Sequence, residues 1–235
     1  MFTDRKDAGE KLAAALQAYR GENALVLAIP RGGVELGIEV AKALQCDLSL
    51  IICRKLPFPY DPESGFGAVA EDGSLYINAS AAARVPEDEI EKIVAQQKKE
   101  ITRRIERLRG GEALPPLKGR TVILVDDGIA MGSTMHTAVE LCRKKEAKKI
   151  VVAVPVAGAR SVEEFSKMAD EVLVLESPLN FYAVAQVYEQ WRDVSDEEVL
   201  AFCRNLFPAA IDTSAPASRP TPSLENWPAH SITWR

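Results

Sequence analysis

Short apolar runs alternate with amphipathic stretches along most of the chain. An unbroken apolar run rich in β-branched residues is typical of a parallel strand that is covered on both faces. Such runs predict strands at 24–29, 47–53, 122–125, 149–156 and 171–175. Apolar positions with helical spacing predict helices over 4–20, 34–44, 86–109 and from 133 to about 145. This alternation predicts an α/β fold, with a doubly wound, mostly parallel sheet flanked by helices.

Turn and capping residues predict several further boundaries. Asp72-Gly73 is a turn signal, and it predicts a β-hairpin between residues 68–70 and 74–77, with Glu71 as another turn residue. Acidic residues crowd the start of the helix over 86–109 and basic residues its end, which indicates an ordinary solvated face. Two Ser/Glu pairs with capping-box spacing predict helix starts: Ser161 with Glu164, and Ser195 with Glu198.

The remaining stretches divide the chain into one domain and a tail. Residues 56–67 are rich in Pro and Gly and lack helical or strand periodicity, as expected of a mobile lid over a site. From residue 208 the sequence is rich in Pro, Ser, Thr and Ala, which predicts a disordered tail over 208–235. One α/β domain over 1–207 is therefore expected.

Composition narrows the class of protein. The chain has 235 residues with 47% hydrophobic content, enough for one α/β domain plus an extension. A net charge of -5 disfavours nucleic acid as a partner. Four cysteines without a C-x-x-C pair suggest a reducing compartment. Because the N-terminus lacks an apolar segment and no run reaches membrane-spanning length, we expect a cytoplasmic protein without a membrane partner.

The stretch 121–134, TVILVDDGIAMGST, carries the strongest chemical signal. Asp126 and Asp127 follow a predicted buried strand, at the edge where an open α/β sheet binds its ligand. Two adjacent carboxylates can bind a vicinal diol or a hard cation such as Mg²⁺. Gly128 and Gly132 permit a tight turn, and the hydroxyl residues that follow open a helix. Free N–H groups and the helix dipole make this helix start suitable for phosphate.

Two other short segments place positive charge near the same predicted edge. Residues 30–33, PRGG, follow the first strand, where backbone N–H groups and the Arg31 guanidinium can bind an anion. Arg54 and Lys55 end the strand predicted over 47–53. Taken separately, each feature also has an ordinary structural explanation. Asp pairs cap helices or form turns, Pro-Arg-Gly-Gly turns are common, and cations often solvate a strand end.

The whole stretch 121–134 resembles the phosphoribosyl diphosphate (PRPP) motif of type I phosphoribosyltransferases: four apolar residues, two acids, a short loop, Gly and small hydroxyl residues. The resemblance implies that Asp126 and Asp127 bind the ribose hydroxyls and Mg²⁺. It also implies that the 5′-phosphate is bound by the loop: Gly128, Ala130, Met131, Gly132, Ser133 and Thr134. Met131 departs from the family, which commonly has Thr there. No P-loop motif and no strand followed by G-x-G-x-x-G competes with this interpretation.

The resemblance extends to the other segments. Residues 31–33, Arg31, Gly32 and Gly33, resemble the family's pyrophosphate-binding loop. Arg54 and Lys55 occupy the position of an Arg-Lys pair in the adenine and orotate branches, where the lysine meets pyrophosphate. The lid carries Asp61 and Glu63 but no Lys or Arg, which departs from relatives. The family also builds a variable hood, here expected at 177–192, with Phe181 or Tyr182 as candidates for contact with the nucleophile.

The function that this resemblance implies is transfer of the phosphoribosyl group from PRPP to a nitrogen nucleophile, with release of pyrophosphate. It implies Mg²⁺ as cofactor, small molecules as partners, a role in nucleotide salvage, and Asp126, Asp127 and Lys55 as catalytic residues. Ala130 stands where the hypoxanthine and guanine branch has an acid, which disfavours a 6-oxopurine acceptor. A homo-oligomer is possible. The alternatives are a regulator that senses PRPP or nucleotide without chemistry, and a Rossmann-like protein that binds another phosphosugar.

Overall fold

The computed structural model of the chain describes residues 1–204, so the tail predicted over 208–235 lies outside the described residues. Its strands, in chain order, are β1 (Ala24–Ala28), β2 (Asp47–Leu50), β3 (Cys53–Phe58), β4 (Asp61–Ala70), β5 (Leu75–Ile77), β6 (Thr121–Val125), β7 (Lys149–Val156) and β8 (Glu171–Glu176). Its α-helices are α1 (Arg5–Ala15), α2 (Gly33–Leu44), α3 (Ala79–Ala82), α4 (Glu87–Arg109), α5 (Ser133–Lys144), α6 (Ala159–Ser166) and α7 (Asp196–Arg204). Short 3-10 helices occur at Gln17–Tyr19 and Val184–Val187.

The central sheet has five strands in the order β2-β1-β6-β7-β8, and each neighbouring pair is parallel. In register, Val26 of β1 lies beside Ile123 of β6, which lies beside Val151 of β7. The predicted parallel sheet is confirmed. From β1 the chain adds β2 on one side and later β6 on the other. The strand order therefore reverses between β1 and β6, which is the topological switch point of the sheet. Ligands of open α/β sheets bind in the crevice at such a point.

Helices cover both faces of this sheet, and successive strand residues serve opposite faces because the side-chain period of a strand is two. In β1, Val26 packs in a core with Leu12 of α1 and Leu36 of α2. Its neighbour Leu25 packs on the other face, in a core with Leu141 of α5. Every residue of β1 and β6 is buried. The unbroken apolar runs in the sequence follow directly from this double coverage.

A second, antiparallel sheet of three strands, β3-β4-β5, corrects two of the predictions. The segment 56–67 was expected to lack strand structure, but it forms most of the β3–β4 hairpin, with Leu56 and Phe66 fully buried. The strand predicted over 47–53 ends at Leu50, and the chain then enters the second sheet. The pairing shifts register on both sides of Pro57, because proline cannot continue a regular ladder. The predicted β4–β5 hairpin is confirmed.

The two predicted capping boxes have opposite outcomes. The Ser195 hydroxyl accepts a hydrogen bond from the Glu198 N–H at 3.1 Å, and the Glu198 carboxylate accepts one from the Ser195 N–H at 2.8 Å. That box is confirmed at the start of α7. The box at Ser161 and Glu164 is wrong, since α6 already begins at Ala159 after Gly158. Ser161 therefore lies inside the helix.

Glu71 and Arg109 form a buried ion pair that was not predicted. Their side chains are 8% and 7% exposed, and Arg109 contacts both Glu71 carboxylate oxygens. Arg109 also donates to the Leu50 carbonyl at 2.8 Å, while Glu71 accepts from the Ile52 N–H at 2.9 Å. The expectation of a solvated face at the basic end of α4 is therefore wrong at Arg109, and Arg104 is buried as well. The pair joins the end of α4 to the link between the two sheets.

We expect Glu71→Ala to lower the free energy of unfolding by roughly 3–5 kcal/mol, because it leaves the Arg109 charge buried without its partner. Glu163→Ala is the matched control, since Glu163 and Lys167 form an exposed pair with side chains 73% and 71% exposed. Its loss should change stability by less than about 0.5 kcal/mol. Urea denaturation of the three proteins measures both values. Equal stability of the two variants would contradict the structural role given to Glu71.

Candidate active site

The loop between β6 and α5 crosses the switch point. Asp126 and Asp127 follow β6 directly, and the Ile129 N–H donates to the Val156 carbonyl at 2.9 Å, which ties the loop to β7. Gly132 precedes α5 with φ of 77°, in the left-handed region that favours glycine. A Cβ at Gly132 would also lie 2.9 Å from the Phe165 ring. Backbone geometry therefore requires glycine at position 132, whether or not the loop binds a ligand.

A cavity of about 360 Å³ opens beside this loop. It brings together eight of the site residues predicted from the sequence: Lys55, Asp126, Gly128, Ala130, Met131, Gly132, Ser133 and Thr134. One further wall is the first half of β4, with Glu63, Ser64 and Gly65. Another is the segment just before Val187, with Tyr182 and Val184. Two acidic residues, Asp126 and Glu63, one cation and a helix start thus line the same space. Asp127, Arg31, Gly32, Gly33 and Arg54 are not among the residues that line it.

The turn at 31–33 packs instead against the back of the acid pair. A Cβ at Gly32 would lie 1.8 Å from Asp127 Oδ2, and a Cβ at Gly33 would lie 2.5 Å from the Val125 carbonyl oxygen. The peptide bond between Pro30 and Arg31 is cis. Only glycine permits these approaches, so the close contact explains both glycines without a ligand. The Gly33 N–H already donates to the Ile29 carbonyl at 3.1 Å.

Arg54 and Lys55 separate because adjacent strand residues point to opposite faces. Lys55 lines the cavity and donates through Nζ to the Glu63 carbonyl across the hairpin. Arg54 donates through Nε to Gln97 Oε1 of α4 at 3.1 Å. The pair that the sequence placed together therefore contributes one side chain to the cavity. Of the two hood candidates, Tyr182 lines the cavity and is 81% exposed, whereas Phe181 packs towards the core beside Gly158.

Arg5 contacts the acid pair, and the sequence did not predict this contact. Its Nε and Nη2 each lie 2.9 Å from Asp127 Oδ2, and its guanidinium carbon lies 4.0 Å from the centre of the Trp191 ring. Helix α1 reaches this position by packing closely on α2, where a Cβ at Gly9 would lie 2.9 Å from Leu36 Cα. Arg5 is one of 29 basic residues, and nothing in its local sequence marks a contact so distant along the chain.

The acid pair is electrostatically asymmetric. Burial raises the pKa of the Asp126 carboxyl well above its usual range, and the nearby Asp127 charge raises it further. Burial also raises the pKa of Asp127, but the Arg5 guanidinium opposes that shift. The Asp127 N–H donates to Asp126 Oδ1 at 2.9 Å. A cation or a group rich in hydrogen-bond donors beside Asp126 would therefore stabilise its ionised form.

The carboxylates of this site can bind Mg²⁺ only if a bound ligand completes the coordination shell of the metal ion. Within residues 1–204, no three His, Cys, Asp or Glu side chains come together to hold a metal ion. Mg²⁺ usually keeps several waters and binds through one or two carboxylates together with substrate oxygens. Asp126 fits that pattern, because it is an acidic residue that lines the cavity of about 360 Å³.

Comparison with known proteins decides the family. A sequence model of the phosphoribosyl transferase domain matches residues 70–191. The chain belongs to the phosphoribosyltransferase family. A Thermus thermophilus protein of solved structure, TT1426, is 38% identical with a TM-score of 0.71, over 86% of this chain and 97% of that one.

Two curated relatives agree with this family assignment. They are the Mycobacterium tuberculosis proteins Rv0571c (strain H37Rv) and MT0597 (strain CDC 1551), both provisionally named as phosphoribosyl transferases. Each is 42% identical over 204 residues, which is 86% of this chain and 46% of the relative. This chain thus spans about half the length of the curated relatives that it matches.

The family match covers only part of the candidate site. It includes the loop 126–134 and Tyr182, whereas Arg5, residues 31–33 and Lys55 lie before its start at residue 70. The structure adds these residues to the site or to its immediate support.

No helix within residues 1–204 is both long enough and apolar enough to cross a bilayer.

We expect Gly33→Ala to destabilise the protein by roughly 1–3 kcal/mol, because its Cβ would overlap the Val125 carbonyl, a backbone atom that cannot turn away. Gly158→Ala is the control on the same edge of the sheet, since its Cβ would lie 3.5 Å from the Phe181 ring in ordinary contact. That change should stay below about 1 kcal/mol. Thermal and urea unfolding measure both variants. A Gly33→Ala protein as stable as the wild type would refute the crowding between this turn and β6.

Proposed function

We propose that this protein transfers the 5-phosphoribosyl group of PRPP to a nitrogenous base or a related nucleophile, with release of pyrophosphate. The observation that carries the proposal is the composition of the 360 Å³ cavity, where Asp126, Lys55 and the start of α5 face one another. A phosphorylated sugar presents hydroxyls and anionic oxygens at its two ends. The cavity offers an acceptor for the hydroxyls and donors for the anions.

The start of α5 suits the 5′-phosphate. The first N–H groups of a helix have no partner within it, and the helix dipole adds partial positive charge at the same end. Ser133 and Thr134 add hydroxyl donors, and both line the cavity. Met131 supplies no hydroxyl at the position where relatives commonly have Thr, but it is 64% exposed and its backbone remains in the loop. The phosphate would therefore be bound mainly by backbone and by Ser133 and Thr134.

Asp126 suits the ribose. An ionised carboxylate accepts hydrogen bonds from neighbouring hydroxyls. Asp126 lines the cavity, and its neighbour Asp127 is paired with Arg5. When bound, Mg²⁺ would neutralise charge on the pyrophosphate as it leaves. Lys55, which lines the opposite wall, and Arg31, which is exposed at the neighbouring turn, supply further positive charge. Gly32 brings that turn against the acids, so the donors proposed for pyrophosphate adjoin the acceptors proposed for the ribose hydroxyls.

The chemistry follows from this arrangement. The bond between the anomeric carbon and the pyrophosphate oxygen breaks with its electron pair on the oxygen, and the nucleophile's nitrogen forms the new bond and then loses a proton. Positive charge develops on the sugar ring in such a reaction, as in glycoside hydrolysis. The protein's task is to orient the sugar and to stabilise the separating charges. Asp126 orients and need not accept a proton.

The acceptor end of the cavity is open and aromatic. Tyr182 stands at its mouth, and Ala130 is exposed in the loop, so no acid at that position contacts the acceptor. This composition favours a planar acceptor other than a 6-oxopurine. We expect small-molecule substrates, no nucleic acid and a cytoplasmic location.

Asp126→Asn should weaken PRPP binding in the presence of Mg²⁺ by at least about 30-fold, because the loss of a buried charged partner typically costs roughly 2–5 kcal/mol. Isothermal titration with PRPP and Mg²⁺ measures this change, and removal of Mg²⁺ by EDTA should weaken binding to the wild type. Glu163→Gln, far out on α6 with a 73% exposed side chain, serves as the control.

Turnover is tested by pyrophosphate release with PRPP, Mg²⁺ and a panel of purine and pyrimidine bases. Release with one of the bases would support the transferase. Binding of PRPP without release across the panel would support a non-catalytic sensor. A wild-type protein with no affinity for PRPP would exclude both functions.

A further inference from the structure

One edge of the central sheet is open in the described part of the chain. Within residues 1–204, β8 pairs with β7 on one side and with no strand on the other. Alternate residues of a strand in a parallel pair direct their N–H and C=O groups to opposite sides, so some of those in β8 face away from β7. All six residues of β8 are half-buried, whereas every residue of β6 is buried. The outer edge of β8 therefore offers hydrogen-bonding groups to a further strand.

The opposite edge of the same sheet is capped by side chains. The Leu50 carbonyl at the end of β2 accepts from Arg109 at 2.8 Å, and the Ile52 N–H just beyond donates to Glu71 at 2.9 Å. The buried pair of Glu71 and Arg109 thus occupies backbone groups that another strand would need. Within residues 1–204, no side chain makes a hydrogen bond of this kind to the backbone of β8.

The sequence of β8 also lacks the usual protection of an edge strand. Exposed edges are commonly kept unpaired by lysine, by proline or by a bulge. The strand reads EVLVLE, with no lysine or proline and with four apolar residues between two acids. The first acid, Glu171, is already compensated within the chain, because it accepts from Lys149 Nζ at 2.9 Å.

The residue pattern of β8 suits pairing with a second copy of itself. Two copies related by a two-fold axis pair antiparallel, and only registers centred on a residue bring matching backbone groups together. An axis at Val174 places Leu173 opposite Leu175 of the second copy, and each acid of β8 faces a neutral residue. An axis at Leu173 would place Glu176 opposite Asp170, and like charges directly opposite each other are destabilising. Charge therefore favours the axis at Val174.

We propose that the outer edge of β8 is a homodimer interface, in which two copies of the chain join their central sheets into one continuous sheet around a two-fold axis at Val174. Backbone groups supply hydrogen bonds, and the half-buried apolar side chains of β8 lose their remaining exposure. Because the two strands run antiparallel, the two candidate sites lie at opposite ends of the interface. Neither copy contributes to the site of the other, so the proposal is independent of PRPP binding.

Sedimentation velocity of the full chain over a series of micromolar concentrations tests the interface. The wild type should reach the mass of two chains as concentration rises. Val174→Lys should raise the dissociation constant by at least about 10-fold, because two lysines then face each other across the axis. Gln96→Lys, which adds the same charge at an exposed position of α4, should dimerise as the wild type.

A mixture of two variants separates the interface from a defect in folding. Val174→Glu should dimerise as poorly as Val174→Lys, since like charges again meet at the axis. An equimolar mixture of the two should recover the dimer, because each lysine then faces a glutamate. Two misfolded variants would not recover it, and a mixture that stays monomeric would count against the axis at Val174.

Two further results would overturn the proposal. One is a wild-type chain that stays monomeric across the series, as expected if another part of the chain covers the edge. The other is a dimer that Val174→Lys leaves intact. Should circular dichroism show that the charged variants do not fold, hydrogen exchange of the wild type decides instead. The amides of β8 should exchange more slowly as the dimer forms, and exchange that is independent of concentration would contradict the interface.

Discussion

The close approach of two loops at the carboxyl ends of β1 and β6 is the constraint on which the site depends. Parallel pairing of these strands in register, with Ala28 beside Val125, delivers both loops to one point. The contact is so tight that a Cβ at Gly32 would overlap the Asp127 carboxylate. The acid pair therefore cannot shift towards β1. In this position Asp126 lines the cavity, and Asp127 is paired with Arg5 of α1.

This constraint places a charge where the protein must compensate it. A buried ionised carboxylate is strongly unfavourable unless it is paired and hydrogen-bonded. The fold meets that need with Arg5, which arrives from α1 through the close contact between Gly9 and Leu36, and with Trp191 and Tyr188, which arrive after β8. The first helix and the last part of the domain thus converge on the middle of the sequence motif.

Most of the correct predictions from the sequence rest on local patterns, although the capping box expected at Ser161 and Glu164 was wrong. The apolar runs at β1, β6 and β7 predicted the buried parallel sheet. The loop 126–134 could be singled out as a candidate site because its acid, glycine and hydroxyl residues are consecutive. The strands within 56–67 were not predicted, because Pro57 and the register shifts beside it disturb the alternation of apolar and polar residues on which strand prediction relies. Two ion pairs were also not predicted, because residues far apart along the chain form no local pattern: Arg5 with Asp127, and Glu71 with Arg109. Long-range charge pairing is what the fold adds to the sequence.

A crystal structure of the protein with PRPP and Mg²⁺ tests the central claim most directly. The account predicts the 5′-phosphate at the start of α5 and the ribose hydroxyls within hydrogen-bonding distance of the acid pair, with Asp126 among the contacts. A phosphate bound elsewhere, or a ribose held away from Asp126, would contradict it.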